Sequence, residues 1–142
     1  ETGRKDECRP EMICKGTGLL CLIDDEMEIV RSHTIILENM GYNVEGYTKT
    51  GTFLETLADD PARYELIITD FNMPEMNGSE LAQAIKKLNP EQKILLITGY
   101  ADLIPEDVLK NAGFSDILPK PFSACELSKK IKNILNIELS DT

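Results

Sequence analysis

No stretch of this 142-residue chain stays apolar for the ~20 residues a bilayer crossing needs, and no signal peptide is visible. Basic residues are scarce: 15 Lys and Arg stand against 25 Asp and Glu, a formal net charge of −10. A surface of that sign argues against nonspecific binding to nucleic acid or to an anionic membrane. It suits cations and basic partner surfaces instead. The four cysteines, Cys8, Cys14, Cys21 and Cys125, show no paired C-x-x-C spacing. They are expected to be reduced thiols of a cytosolic protein, with a disulfide or a metal site as the alternative. There are no internal repeats and no low-complexity tract. The polar N-terminus, Glu1 to Glu7, has no Met and reads as an excised piece or tag remnant. What remains is ordinary, 42% apolar and 28% charged, one domain long enough for a proper hydrophobic core.

Against that background, acidic residues stand in two telling places. Asp24-Asp25 ends the apolar run Leu19-Leu20-Cys21-Leu22-Ile23, and Asp70 ends a second run, Leu66-Ile67-Ile68-Thr69. Both runs are short, continuous and aliphatic, as fully buried parallel strands are. In an open α/β sheet, ligands sit at the carboxyl ends of strands where strand order reverses. If the two strands are neighbours, three carboxylates meet in one cleft. Like charges that close repel, so the arrangement makes sense with a hard divalent cation, Mg²⁺ first.

Along the chain, residues 1 to about 17 show no sustained periodicity and read as linker. Strand and helix then alternate. Strands are expected at Leu19–Ile23, Asn43–Tyr47, Leu66–Thr69, Lys93–Ile97 and Asp116–Leu118. Helices are expected at Met27–Met40, Gly51–Ala58, Ser79–Leu88, Pro105–Asn111 and Ser123–Leu135. Gly41 stands where a helix stops, and Ser123 with Glu126 has the spacing of a capping box. Five strand–helix units in strict alternation predict a (βα)5 doubly wound parallel five-stranded sheet. Right-handed crossovers favour the order 2-1-3-4-5, which sets the first and third strands side by side.

Two more residues fall at strand ends on the same edge. Thr98 closes the fourth strand, and Lys120 follows the fifth in Leu118-Pro119-Lys120-Pro121-Phe122. Carboxylates, a hydroxyl and an ammonium around one cleft are the parts needed to move a phosphoryl group onto a carboxylate. Taken singly, each part has a plainer reading. Asp24 and Asp25 could cap a helix, Asp70 could start a turn, Thr98 could end a strand, and Lys120 could be a solvated lysine. Together they favour the chemistry.

These motifs resemble a receiver domain of two-component signalling. The matching stretches are Leu22-Ile23-Asp24-Asp25-Glu26, Asp70 through Gly78, Ile97-Thr98-Gly99 and Lys120-Pro121-Phe122, in order and at receiver-like spacing. The resemblance implies a flavodoxin-like receiver fold over residues 18–138, with a linker or tag at 1–17 and a tail at 139–142. It makes Asp70 the phosphoacceptor for a phosphoryl group taken from a kinase phosphohistidine. It also implies Mg²⁺, or Mn²⁺ in its place, held by Asp25 and Asp70, with Asp24 acting through water and the Asn72 backbone carbonyl adding an oxygen. Thr98 would bind the phosphoryl oxygen, Gly99 would leave room for the donor, and Lys120 would pair with the phosphoryl group beside a cis bond to Pro121. One departure stands out. Many receivers carry Tyr or Phe three residues before the Lys, and here that position is Ile117, so a coupled threonine–aromatic switch is in doubt.

The implied partners are a histidine kinase or phosphotransfer domain, with the fourth helix, fifth strand and fifth helix as the face for a homodimer. No nucleic acid and no membrane contact is expected of this segment. The resemblance places the domain in the cytoplasm, as the C-terminal receiver of a hybrid sensor histidine kinase whose parent chain is membrane-anchored. A stand-alone or truncated response regulator is the alternative. On this reading the domain accepts a phosphoryl group without being a turnover enzyme. An aspartyl-phosphate phosphohydrolase would need D-x-D-x-T after the first strand, where Asp24-Asp25-Glu26-Met27 stands. A flavin mononucleotide binder would need a Ser/Thr/Gly-rich loop there, and a pseudo-receiver would not need the full acidic set. His33 follows Ser32 as in a kinase phosphoacceptor motif, but Thr34-Ile35-Ile36 breaks that pattern, so a surface or half-buried helix histidine is expected. Met73, Met76 and Tyr100 are expected to be loop and partner-facing surface, and Tyr42 and Tyr47 to pack beside the second strand.

Overall fold

Three short aliphatic runs form the centre of the molecule because each is buried on both faces. The computed structural model describes residues 18–99 and 104–135. Its elements alternate as β1 (Leu19–Ile23), α1 (Met27–Asn39), β2 (Asn43–Tyr47), α2 (Thr50–Asp59), β3 (Leu66–Asp70), α3 (Gly78–Leu88), β4 (Ile94–Thr98), α4 (Glu106–Ala112), β5 (Asp116–Pro119) and α5 (Ala124–Leu135). All strands are parallel, in the order β2-β1-β3-β4-β5 expected from the alternation. The half-exposed runs β2 and β5 lie at the edges, and β1, β3 and β4 fill the middle.

The period-two alternation of each strand sorts its side chains between two layers. Leu20, Leu22, Leu66, Ile68, Leu95 and Ile97 pack with Val30 and Leu37 of α1 and with Leu127 and Ile131 of α5. Cys21, Ile23, Ile67 and Ile94 face the other way, against Phe53 and Leu57 of α2, Leu81 and Ile85 of α3 and Ala112 of α4. Each such leucine, isoleucine or phenylalanine contributes about 1.5–3 kcal/mol of transfer free energy, so the two layers dominate stability.

Element boundaries follow local chemistry. Gly41 adopts φ 100°, which ends α1 as its position predicts. The α5 box forms: Glu126 N–H donates to Ser123 Oγ at 3.1 Å, and Ser123 N–H donates to Glu126 Oε1 at 2.8 Å. A second box at α3 pairs Asn77 with Glu80 in the same reciprocal way, at 2.8 and 3.0 Å. Gly78 opens that helix against the end of β3. A Cβ there would stand 3.0 Å from both Asp70 O and Phe71 Cα, so only glycine lets α3 approach this closely.

Some expectations change. Cys21 is a free, buried thiol, as expected, but Cys125 is disulfide-bonded. Sequence spacing says nothing about which sulfurs fold close together, and Cys8 and Cys14 lie outside the described residues. Met73 and Met76 lie in the β3–α3 loop, as expected, and are half-buried, packing against the α2/α3 layer. Tyr42 is buried, and Tyr47 O–H donates to Tyr64 Oη at 3.0 Å beside β2, since Tyr64 gives its own proton to Glu45. Tyr100 lies outside the described residues, as do the linker over 1–17 and the tail over 139–142. Among the described residues, no helix is long and apolar enough to cross a membrane.

Candidate phosphoryl-acceptor site

The β1–β3 pairing brings the acids together. Ile23 stands opposite Thr69 in the register, so the next residue on each strand, Asp24 and Asp70, reaches the same edge. One carboxylate oxygen from each of Asp24, Asp25 and Asp70 lies within 4.8 Å of the others. They differ in setting: Asp24 is buried, Asp70 half-buried and Asp25 exposed. The Asp24 N–H donates to Tyr47 O at 3.1 Å, tying the end of β1 to β2. Its side chain does not cap α1; Asp24 Oδ1 accepts from Glu26 N–H at 3.0 Å, and no side chain caps that helix. The helix-cap reading of Asp24 therefore fails.

Burial pushes the Asp24 carboxyl up to about 6, with the nearby Asp70 and Asp25 charges adding to the rise. The Glu26 N–H and the Lys120 ammonium oppose it. The cleft thus carries more negative charge than its one lysine offsets.

Lys120 enters from the opposite side. Its Nζ donates to Asp70 Oδ1 at 3.2 Å, and its backbone N–H donates to Thr98 O at 2.9 Å, which fixes the β5–α5 turn on the end of β4. The Lys120–Pro121 peptide is cis. Thr98 is 1% exposed, so its side chain sits within the fold at the end of β4. Gly99 is exposed, and a Cβ there would touch only Lys120 Cβ, at 3.9 Å, so the strand end stays open. Ile117 is half-buried on β5, opposite Leu96.

The result is a cleft of about 420 Å³ lined by Asp24, Asp25, Glu26, Ile29, Asp70, Asn72, Gly99 and Lys120. Sequence reasoning missed Glu26 and Ile29. Glu26 immediately precedes α1, and Ile29 and His33, four residues apart on α1, share one helix face. That periodicity was available as a signal. His33 is half-buried, with its ring centroid 5.3 Å from that of Phe122, on the same turn as Lys120. Burial, then the Lys120 charge, lower the His33 pKa, and Asp70 opposes them.

Residues 20–132 match the family model for the response regulator receiver domain. This chain is a member of that family. Response regulator receiver protein CpdR of Brucella abortus is 31% identical over 116 residues, covering 82% of this chain and 95% of CpdR. Sensor kinase CckA of the same organism is 29% identical over 121 residues, covering 84% of this chain but 13% of the kinase. The solved response regulator protein TrrA from Thermotoga maritima, in complex with Mg²⁺-BeF, is 27% identical. It superposes with a TM-score of 0.73, over 82% of this chain and 98% of that one. As a receiver domain of two-component response regulators, the chain has the doubly wound fold that its sheet order displays.

Proposed function

We propose that this receiver domain accepts a phosphoryl group on Asp70 from a kinase phosphohistidine, in a Mg²⁺-dependent reaction. The observation that carries this is the convergence of Asp24, Asp25 and Asp70 within 4.8 Å, with Lys120 Nζ 3.2 Å from the Asp70 carboxylate. The donor set fits a hard divalent cation. It is all oxygen, it carries excess negative charge, and burial makes Asp24 costly to ionise without a cation beside it. Asp25, Asp70 and the Asn72 backbone carbonyl would hold the ion, Asp24 would act through water, and Mn²⁺ would serve in its place. TrrA, a relative by fold and sequence, was solved with Mg²⁺-BeF.

In the transfer, an Asp70 carboxylate oxygen forms a bond to phosphorus as the phosphorus–nitrogen bond of the donor breaks, and the imidazole leaves with that electron pair. An acyl phosphate results. Lys120 meets the charge on the transferred oxygens, and the Thr98 hydroxyl gives one of them a hydrogen bond. A divalent cation held by Asp25, Asp70 and the Asn72 carbonyl would supply further positive charge to those oxygens. Gly99 keeps the approach clear for the donor. With Ile117 in the position where many receivers have an aromatic ring, the response to phosphorylation runs without a Thr98–aromatic exchange.

The parent protein is read as a hybrid sensor histidine kinase, with this domain in the cytoplasm and a histidine kinase or phosphotransfer domain as partner. The match to sensor kinase CckA supports this. The 95% coverage of CpdR supports the second reading, a stand-alone regulator. The size of the native protein on an immunoblot raised against this domain separates them: a chain several times 15.9 kDa supports the first, and one near 15.9 kDa the second.

Phosphorus NMR with phosphoramidate, whose phosphorus–nitrogen bond stands in for phosphohistidine, tests the transfer. An acyl-phosphate resonance that requires Mg²⁺ supports it. A resonance from another phosphorylated side chain contradicts it.

A further inference from the structure

Beside the acidic cleft lies a second hollow of about 230 Å³ that shares Asp25 with it, between residues 48–50 and residues 73–75. Its wall contains a pair of contacts that no local rule requires. Glu75, in the β3–α3 loop, accepts from Thr50 N–H at 3.0 Å and from Thr50 Oγ1–H at 2.9 Å, across 25 residues of sequence. We propose that Glu75 is a positioning residue for the cation site, latching the loop that carries Asn72 onto the N-terminus of α2. This rests on the reading of the acidic cleft as a cation and phosphoryl site.

Helix α2 begins at Thr50 after Lys49, and no side chain of its own cap residue accepts a hydrogen bond. Its first N–H is an orphan donor in need of an acceptor. Thr50 is 4% exposed, so its hydroxyl also needs a partner away from water. One carboxylate oxygen of Glu75 satisfies both, where the helix dipole favours a negative charge. Those two hydrogen bonds hold the Glu75 carboxyl below the usual range.

The consequence falls on the loop. Its ends are fixed, by Gly78 N–H donating to Phe71 O at 2.7 Å and by the Asn77–Glu80 box. Pro74 offers no N–H for a further tie. Beside the packing of Met73 and Met76 and the weak Thr69 Oγ1–H to Met73 Sδ contact at 4.0 Å, Glu75 adds a charged anchor in the span, three residues beyond Asn72. With the latch closed, Asn72, which lines the cleft with Asp25 and Asp70, keeps its backbone oxygen on a fixed loop. With the latch open, that oxygen moves with the loop and the cation loses a preorganised ligand.

The chain has no Trp, so Mg²⁺ affinity is read by titration calorimetry, alongside amide hydrogen exchange at Thr50 without metal. Glu75→Ala should weaken Mg²⁺ binding roughly ten-fold, the low end of what removing a ligand-orienting partner costs. It should also speed exchange at the Thr50 amide. Glu75→Gln keeps an oxygen that accepts both bonds and should restore both readouts to near wild type. Thr50→Val should weaken binding less, and the double variant should be no worse than Glu75→Ala, as for two ends of one contact. Should Glu75→Ala fail to fold, Thr50→Ser against Thr50→Val reads the same hydroxyl bond. Wild-type Mg²⁺ affinity in Glu75→Ala overturns the proposal, whether or not Thr50 exchange accelerates. Equal loss in Glu75→Gln and Glu75→Ala overturns it too, since charge and not the latch would then be responsible. A wild-type chain that gives no Mg²⁺ isotherm would instead overturn the cleft reading and take this proposal with it.

Discussion

Lys120 Nζ and Asp70 Oδ1 meet at 3.2 Å from positions 50 residues apart, so the fold alone places an ammonium on the Asp70 carboxylate. The pair is only partly shielded, with side-chain exposures of 34% and 14%, which leaves an open side for an incoming group.

Lys120→Arg tests what that ammonium contributes. A planar guanidinium keeps the charge but not the compact shape. Phosphorylation from a small donor should slow, by less than the roughly 100-fold that outright loss of such a donor costs. Mg²⁺ affinity should stay within about two-fold, because arginine keeps the charge that opposes the metal. Phosphorylation at the wild-type rate would return Lys120 to the status of a solvated surface lysine.

Asp25→Ala tests the proposed cation site from its exposed side. Removing one of three carboxylates within 4.8 Å should lower Mg²⁺ affinity at least ten-fold while leaving the thermal midpoint within a few degrees. An unchanged calorimetric isotherm would remove Asp25 from the site.

The acid side of the stability curve tests the β2 edge. Glu45 accepts from Arg63 Nε at 2.9 Å and from Tyr64 OH at 2.6 Å. The Arg63 hydrogen bond, then that of Tyr64, hold its carboxyl below the usual range against the opposing effect of burial. A carboxylate depressed in the folded state stabilises it fully above the unfolded value of about 4.3, and that contribution fades as pH falls through the lower folded value. Thermal melts at about pH 5 and about pH 3 should therefore show a smaller drop in Glu45→Gln than in wild type. Equal drops would show that Glu45 does not couple protons to folding.

Much of this molecule is legible in its sequence because the signals are strong and local. Buried strands announce themselves as aliphatic runs, and the carboxylates that end two of them land together once the alternation dictates strand order. Boundaries moved by one residue in every element except β1 and β2, because caps and ladder hydrogen bonds decide the ends and periodicity does not. The misses share a physical cause. The Glu75 side chain joins the β3–α3 loop to the first residue of α2, and no spacing rule reaches across 25 residues. The half-burial of Met73 and Met76 against the α2/α3 layer is set by how their loop folds, not by local spacing. The bond at Cys125 likewise depends on which sulfurs the fold brings together.

The central claim is that Asp70 accepts phosphorus, and intact-protein mass spectrometry after incubation with Mg²⁺ and acetyl phosphate tests it most directly. The account predicts a single acid-type phosphate adduct on wild type and none on Asp70→Asn, with both proteins folded. An adduct that survives in Asp70→Asn would place the acceptor elsewhere and contradict it.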